Sequence, residues 1–121
     1  MAEMATYLAV DPITITANAA LVRGVRVSLN SSGTCDVADA TTAGDYVTLT
    51  AIEAAKPGTA VNTAGGGKVP ALASEAVAIG DAAYAAASGK FSKTSTNATL
   101  LGRWTLAASG DGVLGEVLLG V

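Results

Sequence analysis

The chain has 121 residues, of which half are hydrophobic and 14% are charged, and its formal net charge is −3. The seven Lys and Arg residues are scattered, whereas nucleic-acid binding needs clustered positive charge, so we expect no nucleic-acid partner. The sequence has no His and a single cysteine, Cys35, which removes the commonest metal ligand and general base and any internal disulfide. We therefore expect no metal site, no cofactor and no catalytic residue.

Small side chains dominate the apolar part of the composition. Only 4% of the residues are aromatic, so a core must be built mainly from Ala, Val and Leu. A buried Ala contributes less than a buried Leu or Phe, because the gain is roughly 25 cal/mol per Å² of apolar area removed from water. This favours a protein that gains part of its stability by association, with an ordinary Ala-rich domain as the alternative.

Targeting signals are not evident. The first ten residues carry Glu3 and no Lys or Arg, unlike the positive start of a secretory signal. The uncharged stretches are shorter than the roughly 18 apolar residues of a membrane span. We therefore expect a soluble protein that is made in a cytoplasm and has no membrane partner.

The N-terminal segment is apolar without a clear period. It contains Tyr7, Leu8 and Val10 and is followed by Pro12. An apolar arm is expected to dock on its own fold, on a sister subunit or on a larger partner. We assign residues 1–12 to such an arm, with a first edge strand as the alternative.

Short alternating segments follow and predict strands and tight turns. In chain order, the predicted strands of the first half are Ile13 to Thr16, Val25 to Leu29, Thr34 to Val37 and Tyr46 to Thr50. Asn30 to Gly33 reads as the turn of a hairpin. From Thr50 to Glu53 the residues fit a helix capping box, so we expect either one helical turn or a continued strand. The Gly-rich stretch from Pro57 to Lys68 is predicted to be a surface loop.

The last forty or so residues are punctuated by glycines. Ser88-Gly89 and Asp111-Gly112 stand where turns require a positive φ. Residues 113–121 then alternate as a final strand. Because Leu114 and Leu118 make its second face largely apolar too, we expect this strand to be covered on both sides, by its own fold or by another subunit.

Seven to nine short strands at regular spacing predict an all-β fold. We expect a small β-barrel or sandwich with an extended N-terminal arm and at most one short helix. Residues 13–121 are assigned to a single β domain, and no period of 20 to 50 residues indicates a repeat array.

Several short motifs resemble the DUF2190 family of small phage proteins. They are Ile79-Gly80-Asp81 followed by Tyr84, Ser88-Gly89-Lys90, Gly102 at the opening of a strand, and Ser109 to Gly112 before the closing VLGEVLLG. The segment from Pro12 to Leu29 is similar to the family's opening, with an alternating strand, a small-residue spacer and a Gly before the next strand. The chain departs from the family pattern at Arg23-Gly24-Val25 and over residues 41–74.

This resemblance implies a function in the virion. Members of the family resemble capsid decoration, or cement, proteins, so the chain is expected to form a homotrimer on the outer surface of the major capsid protein shell and to stabilise it. The resemblance also implies a strand from Ala82 to Ala87. The residues predicted to contact the capsid or a sister subunit are Tyr7, Leu8, Val10, Ile13, Ile15, Leu114 and Leu118.

Two alternatives from other classes stay open. Glu53 to Lys56 resembles the modified-lysine hairpin of biotinyl and lipoyl carrier domains, but Ala55 and Pro57 stand where those domains have Met. A small hydrolase would need two converging carboxylates. The candidate acids are Asp36, Asp39, Asp45, Glu53, Glu75, Asp81, Asp111 and Glu116, most of which lie beside Gly or in polar loops, where Asp caps turns.

Overall fold

The computed structural model describes residues 12–96 and 98–120, and this part of the chain is mainly β. Its strands are β1 (Ile13–Thr16), β2 (Arg26–Leu29), β3 (Cys35–Val37), β4 (Tyr46–Thr48), β5 (Pro57–Asn62), β6 (Gly67–Leu72), β7 (Ala82–Ala85), β8 (Phe91–Ser92), β9 (Leu100–Leu106) and β10 (Leu114–Leu119). Two short 3₁₀ helices, Thr63–Gly65 and Ala87–Gly89, are the helical elements of the described residues. The predicted all-β class is confirmed.

The strands form two antiparallel five-stranded sheets that share one topology. The first sheet has the order β1-β5-β4-β2-β3 and the second has the order β6-β10-β9-β7-β8. When β6 to β10 are matched in turn to β1 to β5, the two orders are the same. We call β1 to β5 module 1 and β6 to β10 module 2.

The repeat extends to single residues at a spacing of 56 positions. A parallel bridge from Ala17 to Cys35 in module 1 matches the bridge from Ala73 to Phe91 in module 2. The antiparallel bridges Leu21 to Ile52 and Val77 to Ala108 also match. In each module the parallel bridge draws the two edges of the sheet together, but the sheets do not close into barrels.

Local sequence explains the predicted hairpin between β2 and β3. The side-chain Oδ1 of Asn30 accepts hydrogen bonds from the backbone N–H groups of Ser32 and Thr34, which folds the loop back on itself. Gly33 takes a positive φ of 84°, a conformation that costs Gly little. The strands predicted around this turn and at Ile13–Thr16 are present. The strands predicted at Tyr46–Thr50 and Ala82–Ala87 are present but shorter, since they end at Thr48 and Ala85.

Of the two alternatives for the segment around Thr50, the structure has the extended one. Strand β4 ends at Thr48, the chain bends at Leu49 and Thr50, and Ile52 exchanges backbone hydrogen bonds with Leu21 in an isolated bridge. The expectation for the next segment was wrong. The stretch from Pro57 to Lys68 is not a surface loop. It contains β5 and the start of β6, because Pro57 occupies the first position of its strand, where Pro is tolerated, and the glycines are confined to the 3₁₀ connection and strand ends.

Each module has its own hydrophobic cluster, and the clusters are joined across the module boundary. The core of module 1 is built around Ile15, Val27 and Cys35. The core of module 2 contains the fully buried Trp104, and it also takes in Val47 and Val61 from β4 and β5 of module 1. Module 2 therefore completes its core with side chains from module 1.

The described residues include no helix that is long and apolar enough to cross a membrane.

Candidate interaction surface

Arg26 lies at the boundary between the modules and is fully buried. Its guanidinium donates to backbone carbonyls on both sides: to Asp39 at 3.0 Å and Thr42 in module 1, and to Lys90 at 3.1 Å and Ala86 in module 2. The planar fork of Arg suits several acceptors at once. One side chain therefore ties together the loops of two modules.

The surroundings of Arg26 explain its electrostatics. Burial lowers the pKa of its guanidinium to about 10, and the nearby carboxylate of Asp39 acts in the opposite direction. The guanidinium carbon lies 5.7 Å from the ring centre of Phe91, a favourable cation–π distance. Arg26 thus stays charged at neutral pH, with its charge held by carbonyl dipoles and an aromatic face.

Backbone hydrogen bonds also cross the boundary. The N–H of Leu72 donates to the carbonyl of Gly24 at 2.9 Å, and the N–H of Gly89 donates to the carbonyl of Ala38 at 2.7 Å. A Cβ on Gly24 would lie 2.7 Å from the side chain of Leu114, and a Cβ on Gly89 would lie 2.7 Å from the carbonyl oxygen of Arg26. Both glycines are therefore required for the close approach of the modules as well as for their positive φ.

The equivalent positions on the outer sides of the two modules are open. Gly80 stands 56 positions after Gly24, and Gly33 stands 56 positions before Gly89. An added Cβ at either residue would meet no atom within 4 Å. The contact between the modules therefore joins two different surfaces and leaves one copy of each surface unoccupied by residues 12–96 and 98–120.

Large apolar side chains are exposed on several parts of the described surface. Ile79, the most exposed of them at 68%, precedes Gly80. The others are Ile13, Val22, Leu29, Val37, Leu100, Leu106, Val113 and Leu114. Of these residues, Leu106 and Leu114 line one common depression.

The predicted contact residues differ in how far they are buried. Ile13 and Leu114 are exposed at 37% and 41%, and Leu118 is half-buried. Ile15, in contrast, is buried in the core of module 1, so its side chain stabilises that module. Tyr7, Leu8 and Val10 lie outside the described residues.

The final strand was predicted to be covered on both sides. Its first face is buried, with Val117 and Leu119 in the core of module 2. Its second face, with Leu114, Glu116 and Leu118, is exposed or half-buried. This second face is therefore available to another protein.

A shallow depression of about 290 Å³ lies beside that face. Leu106, Leu114 and Pro70 provide its apolar lining, and Arg23 from module 1 reaches its rim. The Nζ of Lys68 and the Oε1 of Glu116 lie 3.9 Å apart in the same depression, which therefore carries one positive and one negative side chain. A depression with this lining suits a protein surface better than it suits a small charged ligand.

Several candidate acids of a hydrolase are engaged in hydrogen bonds or ion pairs. Asp81 accepts from the N–H of Ala78, which is typical of a carboxylate that caps a turn. Glu75 accepts from the hydroxyl of Thr94 at 2.6 Å, and the carboxylate of Asp111 pairs with Lys90 at 2.8 Å. The last two contacts join segments that are distant in sequence.

Two of these acids are perturbed by their hydrogen bonds. The side-chain amides of Asn30 and Asn18 donate to Asp36 and lower the pKa of its carboxyl group. The hydroxyl and the N–H of Thr41 do the same for the pKa of Asp39. Each shift has a local structural cause.

The other candidate groups are placed as follows. Lys56 is exposed and directly precedes β5, next to Ala55, whose φ is 63°. Cys35 is buried in the core of module 1, and burial raises the pKa of its thiol. Among the described residues, no three His, Cys, Asp or Glu side chains form a group that could hold a metal ion.

Sequence reasoning missed the most informative features of this surface. Arg26 looked like one of several scattered cations, because nothing in its neighbours indicates burial. The repeat left a weak signal, since the chain aligned with itself at a shift of 56 pairs Ala17 with Ala73, Gly24 with Gly80 and Gly33 with Gly89. That period is longer than the 20 to 50 residues that were considered.

Comparison of the sequence with known protein families and with curated proteins finds no match. The resemblance to the DUF2190 family therefore stays a prediction. Comparison of the fold with solved structures finds the N base of head fiber gp8.5 of bacteriophage phi29, with a TM-score of 0.69. The match covers 91% of this chain and 93% of the phi29 chain at 18% sequence identity. The chain therefore shares its fold, over nearly its whole length, with a phage head fiber base.

Proposed function

We propose that this chain is a structural protein of a phage virion that binds the outer surface of the assembled major capsid protein shell and stabilises it. The observation that carries this proposal is the shared fold with the phi29 head fiber base over 91% of the chain. The motifs that resemble the DUF2190 family support the same role from the sequence. The exposed apolar residues support a binding role of this kind.

The physical mechanism is differential binding. A protein that binds the assembled shell and has no affinity for free subunits stabilises the shell by the free energy of that binding. In the proposed homotrimer, each copy contributes its own contact, and the contacts add through effective concentration. Modest individual interfaces then give stable attachment without a bond being made or broken.

The proposed contacts with the shell or with a sister copy include Tyr7, Leu8, Val10 and the exposed Ile13, together with Leu114 on the open face of β10. Deletion of residues 1–10 is expected to leave a folded protein that no longer binds shells. Co-sedimentation with shells that lack the protein measures binding, and the fluorescence of the buried Trp104 checks folding.

A matched control keeps the length of the segment and changes its chemistry. Replacing Tyr7, Leu8 and Val10 together by Ser should reduce co-sedimentation as the deletion does, whereas replacing Glu3 by Gln should leave it unchanged. If the deleted protein still binds shells as tightly as the full chain, the segment is not part of the contact.

A further inference from the structure

We propose that copies of this chain associate head to tail through a contact that repeats the one between its own two modules. In this arrangement, the unoccupied surface of module 2 in one copy packs against the unoccupied surface of module 1 in the next. The inference specifies the self-association in the proposed function and is independent of binding to a shell.

The internal contact is not symmetric. The carbonyls of Gly24 and Ala38 in module 1 accept from Leu72 and Gly89 in module 2. In a two-fold symmetric contact, Gly80 and Gly33 would also lie against the other module, as Gly24 and Gly89 do. The space beside Gly80 and Gly33 is open, so the contact is not two-fold symmetric. A contact between two different surfaces of a repeated unit continues from copy to copy, into a ring if the rotation closes and into a filament if it does not.

The position of Arg23 shows which residues would meet between copies. In the internal contact, Arg23 reaches the depression that is lined by Val69, Pro70 and Leu114. The residue of module 2 that corresponds to Arg23 is Ile79, which is 68% exposed.

Strand register identifies the residues on the unoccupied surface of module 1 that Ile79 of another copy would contact. Ile13 and Thr14 stand 56 positions before Val69 and Pro70. Pro57 pairs with Thr16 at the end of β1, as Leu114 pairs with Leu72 at the end of β6. Ile79 of one copy would therefore pack against Ile13 and Pro57 of the next.

The chemistry of the two free surfaces agrees with this pairing. In the internal contact, Val61 of module 1 faces the core of module 2. By strand register its counterpart in module 2 is Leu118, which is half-buried. Ile79 and Leu118 on one side and Ile13 and Pro57 on the other are apolar. One cation lies beside them: Arg103 stands 56 positions after Val47, pairs with Leu118 and is exposed in the single chain.

The test uses two variants that each block one of the surfaces. Ile79→Asp places a charge on the free surface of module 2, and Ile13→Asp places one on the free surface of module 1. The wild-type protein should have a solution mass of several chains by light scattering, and three chains would give a homotrimer. Each variant alone should have the 11.8 kDa mass of one chain, since each contact needs one intact surface of each kind.

An equal mixture of the two variants makes the test specific. Ile13→Asp supplies an intact module 2 surface and Ile79→Asp supplies an intact module 1 surface, so the mixture should form pairs of two chains and nothing larger. Val22→Asp is the control, because Val22 is also exposed but belongs to the side of module 1 that already faces its own module 2. It should assemble like the wild type, and near-ultraviolet circular dichroism of Trp104 checks the folding of each variant.

Several outcomes would overturn the inference. A wild-type protein that stays a single chain at the highest concentrations, or variants that assemble like the wild type, would refute the contact. A mixture that remains single-chain would show that the association is not head to tail. A failure to bind shells would refute the proposed function and leave this contact untouched, so the two failures are distinguishable.

Discussion

Arg26 shows how one residue can stabilise the arrangement of two modules. Its side chain is buried with a full charge, and its acceptors are carbonyls of loops that are distant in sequence. Such a site is costly to leave half satisfied, because a buried carbonyl that loses its donor has no water to replace it. The residue is therefore the most sensitive single position of the module boundary.

Arg26→Met should lower the free energy of unfolding by about 3 kcal/mol, since the methionine fills the volume but leaves the carbonyls of Asp39, Thr42 and Ala86 without the guanidinium donor. Urea denaturation followed by the fluorescence of Trp104 measures the change. Arg23→Met, at an exposed position, should change stability by no more than about 0.5 kcal/mol. Equal effects of the two substitutions would contradict the role of Arg26.

The carboxyl group of Asp36 makes the stability of the protein depend on pH. Hydrogen bonds from Asn30 and Asn18 lower the pKa of its carboxyl group in the folded protein below the ordinary value of 3.8. The folded state then binds fewer protons than the unfolded state, so the stabilisation is present above the ordinary pKa and is lost as the pH falls through the lowered one.

Asp36→Asn should therefore make stability less dependent on pH between about pH 5 and pH 2. Thermal unfolding at a series of pH values measures this slope. Asn18→Ala, which removes one of the two donors, should give an intermediate slope. A slope that is the same in Asp36→Asn and in the wild type would show that the hydrogen bonds do not stabilise the ionised carboxylate.

At the scale of the strands, glycines fix how closely neighbouring elements pack. Gly102 lies in β9 between Leu119 of β10 and Ala83 of β7, next to a break in the register of β7 and β9. A Cβ at this position would lie 2.0 Å from the carbonyl oxygen of Leu118. The sequence indicated a glycine at the start of a strand, but only the pairing of β9 with β10 explains why it is glycine.

Gly102→Ala should destabilise the protein by about 2 kcal/mol, because the methyl group forces the backbones of β9 and β10 apart. Gly110→Ala is the matched control, since a Cβ there would meet nothing within 4 Å, and it should stay within about 0.5 kcal/mol of the wild type. Denaturation midpoints compare the two. A neutral Gly102→Ala would mean that the two strands have room for a side chain.

Strand periodicity explains which elements could be predicted from the sequence. Alternation of β-branched and polar residues identified the strands at Ile13–Thr16 and Val25–Leu29. In β2 the burial itself does not alternate, since Arg26 and Val27 are both buried and Leu29 is exposed. It failed at Pro57–Asn62, where Pro and Gly have the local signature of a loop and the strand is formed by pairing with β1 and β4. Pairing with distant strands overrides local preference there.

At the scale of the whole molecule, the duplication could not be predicted from composition or motifs. Matched positions such as Leu21 and Val77, or Cys35 and Phe91, share an environment but differ in side chain. The two modules share backbone bridges and positive-φ glycines. Backbone bridges can form with many different side chains at the paired positions, so the two module sequences need not be alike. The sequence named Ile13 and Leu114, which are exposed, but it named neither the boundary residue Arg26 nor the exposed Ile79.

The central claim is that this chain acts by adhesion to an assembled phage shell. The most direct measurement is co-sedimentation of the purified protein with shells of the phage that encodes it, prepared without the protein, beside unassembled major capsid protein. The account predicts saturable binding to the shells, higher resistance of the decorated shells to heat, and no binding to the free subunits. Absence of binding to the shells under conditions in which the protein is folded would contradict it.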